Sequence, residues 1–264
     1  MIPEINLGPI TLQTFGLMFA LAFIVGGAMA FKRFEELGKP GDWAYEAVFA
    51  ALIGGLIGAR LYFVIDNSAS IDGIGDLVSG TGLTWYGGLA GGAITVLLWA
   101  WWRDTLSLQL ADVAAPALLA GQAIGRIGCQ LSGDGDYGKE WDGPWAMGYP
   151  DGTVPTPPGV EVHPTPVYDT LALGLGAFIL WRLRDRFRPG ILFALFMIWL
   201  GVERLLVEFL RTNDVVALGL TFAQLISVGL IIAGIVWIVV VRNRHGTLSR
   251  PDAGDGTAAG AAAK

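Results

Sequence analysis

Residues 110–138 read LADVAAPALLAGQAIGRIGCQLSGDGDYG. An apolar, alanine-rich segment long enough to near-span a bilayer carries Arg126 at its end, and a glycine-rich loop with Asp134 and Asp136 follows. A permanent positive charge at membrane depth is costly, so it faces a bundle interior or an aqueous cavity, where it seeks an anion. Working outward, six further apolar stretches of comparable length appear, and the seven are placed at 10–31, 44–65, 84–102, 110–128, 166–181, 190–210 and 218–241. A bilayer core needs about 20 residues per helix. With 53% hydrophobic and only 15% charged residues, the expected fold is an all-α integral membrane protein with seven transmembrane helices. Residues 1–245 form one membrane domain with a long loop at 129–165, and the Gly/Ala-rich 246–264 read as a disordered tail.

The basic residues orient the helices. Lys32, Arg33, Lys39, Arg103, Arg182, Arg184, Arg186, Arg188, Arg242, Arg244, Arg250 and Lys264 fall on one side, and only Lys139 falls in a loop on the other. The positive-inside rule then puts the N-terminus outside and the C-terminus in the cytoplasm. Met1 to Pro9 contain no Lys or Arg, so the first apolar run lacks the basic start of a cleaved signal peptide. One cysteine and two histidines exclude a disulfide framework and a Cys-rich metal cluster; no metal site and no cofactor is expected. A net charge of −6 would argue against nucleic acid in a soluble protein; here the distribution of the charges matters more than their sum, and no nucleic-acid partner is expected.

The remaining four of the 17 basic residues, Arg60, Arg126, Arg204 and Arg211, lie within or at the ends of the apolar helices, toward the outer half. One outward-facing cationic cavity accounts for them economically. Each also has a structural reading: Arg211 as an interfacial anchor, Arg60 as a partner of Glu46 or Asp66, Arg204 as half of an i,i+4 pair with Glu208. Trp141, Trp145, Met147 and Tyr149 read as an aromatic belt, and paired small residues such as Gly54, Gly55, Gly58 and Gly87, Gly88, Gly91 let helix backbones meet. Arginine suits phosphate because its planar fork binds two oxygens and never deprotonates, so a phospholipid head group is the expected anion.

An ordered set of short motifs carries a resemblance. Phe15-Gly16-Leu17-Met18, Gly58-Ala59-Arg60-Leu61, Tyr86-Gly87-Gly88-Leu89, Gly125-Arg126-Ile127-Gly128, His163-Pro164-Thr165 with Tyr168, and Arg204 with Val207-Glu208-Phe209 and Arg211 span nearly the whole chain. Together they resemble the prolipoprotein diacylglyceryl transferases. The resemblance implies a bacterial inner-membrane enzyme that moves a diacylglyceryl group from phosphatidylglycerol to the lipobox cysteine of a preprolipoprotein. Glycerol 1-phosphate is released, and the nucleophile belongs to the substrate. By matching position, Arg126 and Arg204 hold the phosphate, and Glu208 and Gly138 fall on functional positions, with Arg60 and Gly133 beside the lipid. The chain departs from the family pattern where Phe15 stands for Tyr, Tyr86 for His, and Cys129 and Ser132 for Asn. The histidine is the family's proposed base, and Tyr86 in its catalytic position is a poor base at neutral pH, so Asp134 or Asp136, and His163, are the candidates here for taking the thiol proton. The loop is one residue longer, leaving Asp134 and Asp136 both open for the acidic position. Two alternatives remain: a relative with another acceptor, and a non-enzymatic binder or transporter of anionic lipid, against which stands the lack of an inverted repeat.

Overall fold

Where the first apolar stretch begins, alternation wins over helix propensity. Ile10 to Gln13 alternate apolar and polar, and a computed structural model shows them paired antiparallel as β2 (Ile10–Gln13) with β1 (Glu4–Leu7). Gly8, with φ of 65°, supplies the left-handed turn a tight hairpin needs. The first helix therefore starts four residues later than the sequence predicts, as α1 (Thr14–Glu36). The same correction recurs near the other end. Val215–Ala217 (β3) and Leu220–Thr221 (β4) pair across Gly219, and the last helix starts at Phe222 with a Thr221/Gln224 capping box.

The structure describes residues 1–67, 84–217 and 219–250. Most of the 66–83 loop and the tail beyond Arg250 lie outside the described residues. Seven helices occur among them: α1, α2 (Trp43–Asp66), α3 (Trp85–Trp102), α4 (Leu108–Ser132), α5 (Thr165–Leu183), α6 (Ile191–Glu208) and α7 (Phe222–His245). Among the described residues, the two hairpins and isolated bridges at Glu140–Val162, Met147–Val162 and Phe187–Ser249 are the β-structure, and the fold is otherwise helical. By length and composition α1, α2, α4 and α7 suffice to cross a membrane, with a shorter apolar segment at Gly87–Trp102. In α6, Glu203, Arg204 and Glu208 interrupt the apolar run, and these are the charges that build the site below.

The chain divides into two units, Met1–Gly26 with Ala111–Lys264, and Gly27–Leu110. In the first, Ala115, Leu119 and Ala123 form a one-face stripe on α4, packed in one core with Leu173, Ala177 and Leu180 of α5 and Leu192 and Phe196 of α6. Asp112 of α4 caps α6: its two carboxylate oxygens accept from Gly190 N–H at 2.7 Å and Phe193 N–H at 2.8 Å. That satisfies donors a helix N-terminus otherwise leaves open. The chain after α7 runs beside the α5–α6 turn, where Arg188 N–H donates to Leu248 O and Arg250 N–H to Arg186 O.

In the second unit α2 and α3 approach backbone to backbone. Thr95 Oγ1 donates to Ala50 O at 2.6 Å, and Gly54 and Gly58 lie against Gly91 and Gly87. Small residues at this spacing are how membrane helices pack without a hydrophobic drive. Glu46 takes Arg103 and accepts from Trp99 Nε1 at 2.8 Å, so the cation it serves is the residue that ends α3. Arg60 stands over the Phe63 ring at 5.1 Å.

Candidate functional site

Helix α4 does not stop at Gly128 as the sequence suggests; it continues to Ser132, so Arg126, Cys129 and Ser132 all project from its last two turns. The loop then reverses on Gly133 and Gly135, whose φ angles of 60° and 91° favour glycine. Gly133 also abuts Gly152 so closely that a Cβ would lie 2.7 Å from its Cα. Further on, Gly138 N–H donates to His163 O, Lys139 N–H to Leu210 O, and a Cβ on Gly138 would meet Leu210 O at 2.6 Å. Pinned on both sides, the loop delivers Asp136 to the arginines.

Asp136, not Asp134, makes those contacts. One of its oxygens pairs with Arg126 Nη1; the other accepts from Arg211 Nη2 at 2.5 Å. Its backbone carbonyl accepts from Arg211 Nη1 at 2.7 Å and from Thr165 Oγ1 at 2.5 Å. Arg126 Nε also lies 3.1 Å from Asp169 Oδ2, an ion pair to a carboxylate that is 1% exposed. On α6, Arg204 Nη2 pairs with Glu208 Oε2 at 2.9 Å. Glu208 Oε1 is held by Thr221 Oγ1 at 2.7 Å and Asn213 Nδ2 at 2.8 Å. Arg204 Nη1 is buried without a hydrogen-bond partner among the described residues.

The structure thus gathers Arg126, Asp136, Arg211, Asp169, Arg204 and Glu208. Asp134 Oδ1 accepts from Asp136 N–H at 3.3 Å and helps shape the turn. Cys129 is buried, with Arg126 Nη1 at 3.9 Å from its sulfur, and Ser132 is turned away to donate to the Cys129 carbonyl. Cys129 Sγ and one carboxylate oxygen each of Asp134 and Asp136 lie within 4.8 Å of one another, and the Arg126 guanidinium supplies the cation among them. Phe15 of α1 is half exposed, with one ring edge near Gly128. His163 stacks on Trp141 at 4.4 Å, and its Nδ1 lies 3.3 Å from Tyr168 Oη, which accepts from Trp145 Nε1. Tyr168 therefore has its own proton free to offer to Nδ1. Arg60 and Tyr86 belong to the second unit; Tyr86 starts α3, and its side chain lies outside the described residues.

Two expectations are corrected. Arg211 is no surface anchor: its side chain is 9% exposed and spent on Asp136. Tyr149 leaves the aromatic belt; it is fully buried, stacked on Tyr137 and donating to Gln130 Oε1 at 2.8 Å, and burial pushes its phenol up to about 12. Sequence reasoning also missed Asp169 and Glu203. The available signal was an acidic residue inside an apolar helix, which marks function as an arginine does.

Burial raises the Asp136 carboxyl, but Arg126, then Arg211 and Arg204, more than offset it and hold it below its ordinary value. A depressed carboxylate contributes stability that is present above its unfolded pKa and lost as pH falls through its folded one. Thermal melts should therefore show a loss of stability on acidification below about pH 4. Asp136→Asn should melt lower at neutral pH and lose that part of the acid dependence; an unchanged acid limb would contradict the assignment.

Charged side chains from three apolar helices and one glycine-pinned loop, paired with one another and half-buried to fully buried, define a membrane protein with an ionic site. Residues 4–240 match the model of one family, prolipoprotein diacylglyceryl transferase. A relative from Bacillus cereus named phosphatidylglycerol–prolipoprotein diacylglyceryl transferase is 34% identical over 250 residues, covering 90% of this chain and 91% of its own. Relatives of the same name from Bacillus thuringiensis and Bacillus anthracis are 34% and 33% identical over the same length. This chain belongs to the prolipoprotein diacylglyceryl transferase family, and it is a multi-pass membrane protein.

Proposed function

We propose that this chain transfers the diacylglyceryl group of phosphatidylglycerol to the lipobox cysteine of a preprolipoprotein, releasing glycerol 1-phosphate. The observation that carries the reading is Arg126, on the family's phosphate position, with its fork held between the loop carboxylate of Asp136 and the buried carboxylate of Asp169. The names of the relatives, which cover nine-tenths of the chain, support the same activity. In the reaction the thiol sulfur attacks the glyceryl carbon that bears the phosphate ester. The carbon–oxygen bond breaks, and its electron pair stays on the phosphate oxygen. Arg126 and Arg204 stabilise the charge growing there, a contribution that is worth most in a dry, preorganised site. The thiol proton leaves to a base, for which Asp134, Asp136 and His163 are the proposed acceptors. Glu208, fixed by Thr221 and Asn213, orients Arg204.

The same reading places seven spans in the bacterial inner membrane, with the N-terminus outside, a cytoplasmic tail at 246–264, and no nucleic acid among the partners. Phe15, Cys129, Ser132, Gly133 and Gly138 would line the lipid and its head group. Purified protein supplied with labelled phosphatidylglycerol and a lipobox peptide should label the peptide and release glycerol 1-phosphate in equal amounts. Glycerol 1-phosphate without peptide labelling would assign a different acceptor, and neither product would end the enzymatic reading.

A further inference from the structure

Glu203 has no part in the transfer as written, although it sits one residue before Arg204 and is only 8% exposed. Its carboxyl meets that of Asp169 across the α5–α6 contact, within hydrogen-bonding reach. Arg126 from α4, Asp169 from α5 and Arg204 from its own helix are the charged groups that face it. As ions, both carboxylates can only accept hydrogen bonds. Both oxygens of Asp169 and Oε1 of Glu203 are buried without a hydrogen bond among the described residues, Arg126 Nε meeting Asp169 Oδ2 as an ion pair at 3.1 Å. Two buried acceptors face to face are costly in a medium that cannot hydrate them, and one proton between them turns a repulsion into a hydrogen bond.

The position of that proton follows from Arg126. Its Nε is 3.1 Å from Asp169 Oδ2, so the negative charge belongs on Asp169 and the proton on Glu203. We infer that Glu203 is a neutral hydrogen-bond donor to Asp169, fixing the carboxylate that aims Arg126, and is thus a positioning residue for the phosphate-binding arginine.

The catalytic consequence rests on the proposed transfer, whereas the proton does not. Infrared spectra of the full-length protein in detergent at neutral pH should contain the carbonyl stretch of a protonated carboxylic acid, and Glu203→Gln should remove it. Absence of that band in the wild type overturns the inference whatever the activity. In the transfer assay Glu203→Ala should lose about tenfold or more in kcat/KM, the cost of leaving a buried acceptor unmet. Glu203→Gln, a donor at every pH, should recover most of that loss and should lack the alkaline decline that the wild type shows as Glu203 gives up its proton. A glutamine variant as impaired as the alanine variant, or one with the wild-type alkaline limb, would overturn the positioning role. A wild type that transfers nothing would remove the proposed function, and the infrared band would still decide where the proton is.

Discussion

Arg126→Ala should lower diacylglyceryl transfer by about 10²–10³-fold, the usual cost of removing one preorganised donor from a charge-developing site. More than charge is lost with Arg126. Arg126 presents Nη1 to Asp136 and Nε to Asp169, so its fork is held at two points before any lipid arrives. Lysine restores the charge but not the fork, and Arg126→Lys should recover only a small part of the loss. Arg204→Ala should be comparably severe, because Arg204 has one nitrogen on Glu208 and another buried without a hydrogen-bond partner among the described residues. Arg211→Ala should cost less in the chemical step, since Arg211 is spent on holding Asp136. Labelled phosphatidylglycerol and a lipobox peptide provide the measurement, with a melting curve for each variant as the folding control. Normal transfer by Arg126→Ala and Arg204→Ala would remove the phosphate role from both.

The second large effect is on stability and lies in the other unit. A Cβ on Gly58 would stand 2.3 Å from Gly87 O and 2.8 Å from Gly91 Cα. These are backbone atoms, which cannot rotate aside. Gly58→Ala must therefore push α2 and α3 apart, at about 1–3 kcal/mol for an overpacked contact, and Gly58→Val should cost more. Gly55→Ala is the matched control on the same helix, because its Cβ would meet Gly88 O at an ordinary 3.5 Å. There the better helix propensity of alanine, about 0.8–1.0 kcal/mol, should be retained. The two alanine variants should move the melting temperature in opposite directions. Equal shifts would mean that the close approach is not what holds this pair together.

The helices were legible because apolar runs of sufficient length have few other uses. Their ends were legible only where a local signal fixed them. Ile10 to Gln13 and Leu220 to Thr221 were read as helix, since alternation over two to four residues is a weak signal beside a long apolar run. Arg126 and Arg204 were found from charge in an apolar context, and Glu208 from its spacing of four from Arg204 and from the family resemblance. Asp169 and Glu203 carry the same signal and went unread, because no single-helix pattern says that α5 and α6 bring them face to face. Arg211 was misread for a related reason: the arginine that looked interfacial from its place at a helix end is buried by a loop 75 residues away. The choice between Asp134 and Asp136 turned on glycine geometry at Gly133 and Gly135, which spacing alone does not determine.

Asp136 gives the site a resident anion, and on the proposed reading that alters what lipid binding is. A head group arriving at Arg126 does not fill a bare positive hole; it trades places with a carboxylate already there. The net gain is a difference between two similar attractions, so the lipid is held modestly. The same difference governs departure. A phosphate product carrying more charge than the substrate would be hard to release from unopposed arginines, but here a tethered competitor stands ready to take them back. Turnover is favoured at the expense of tight binding.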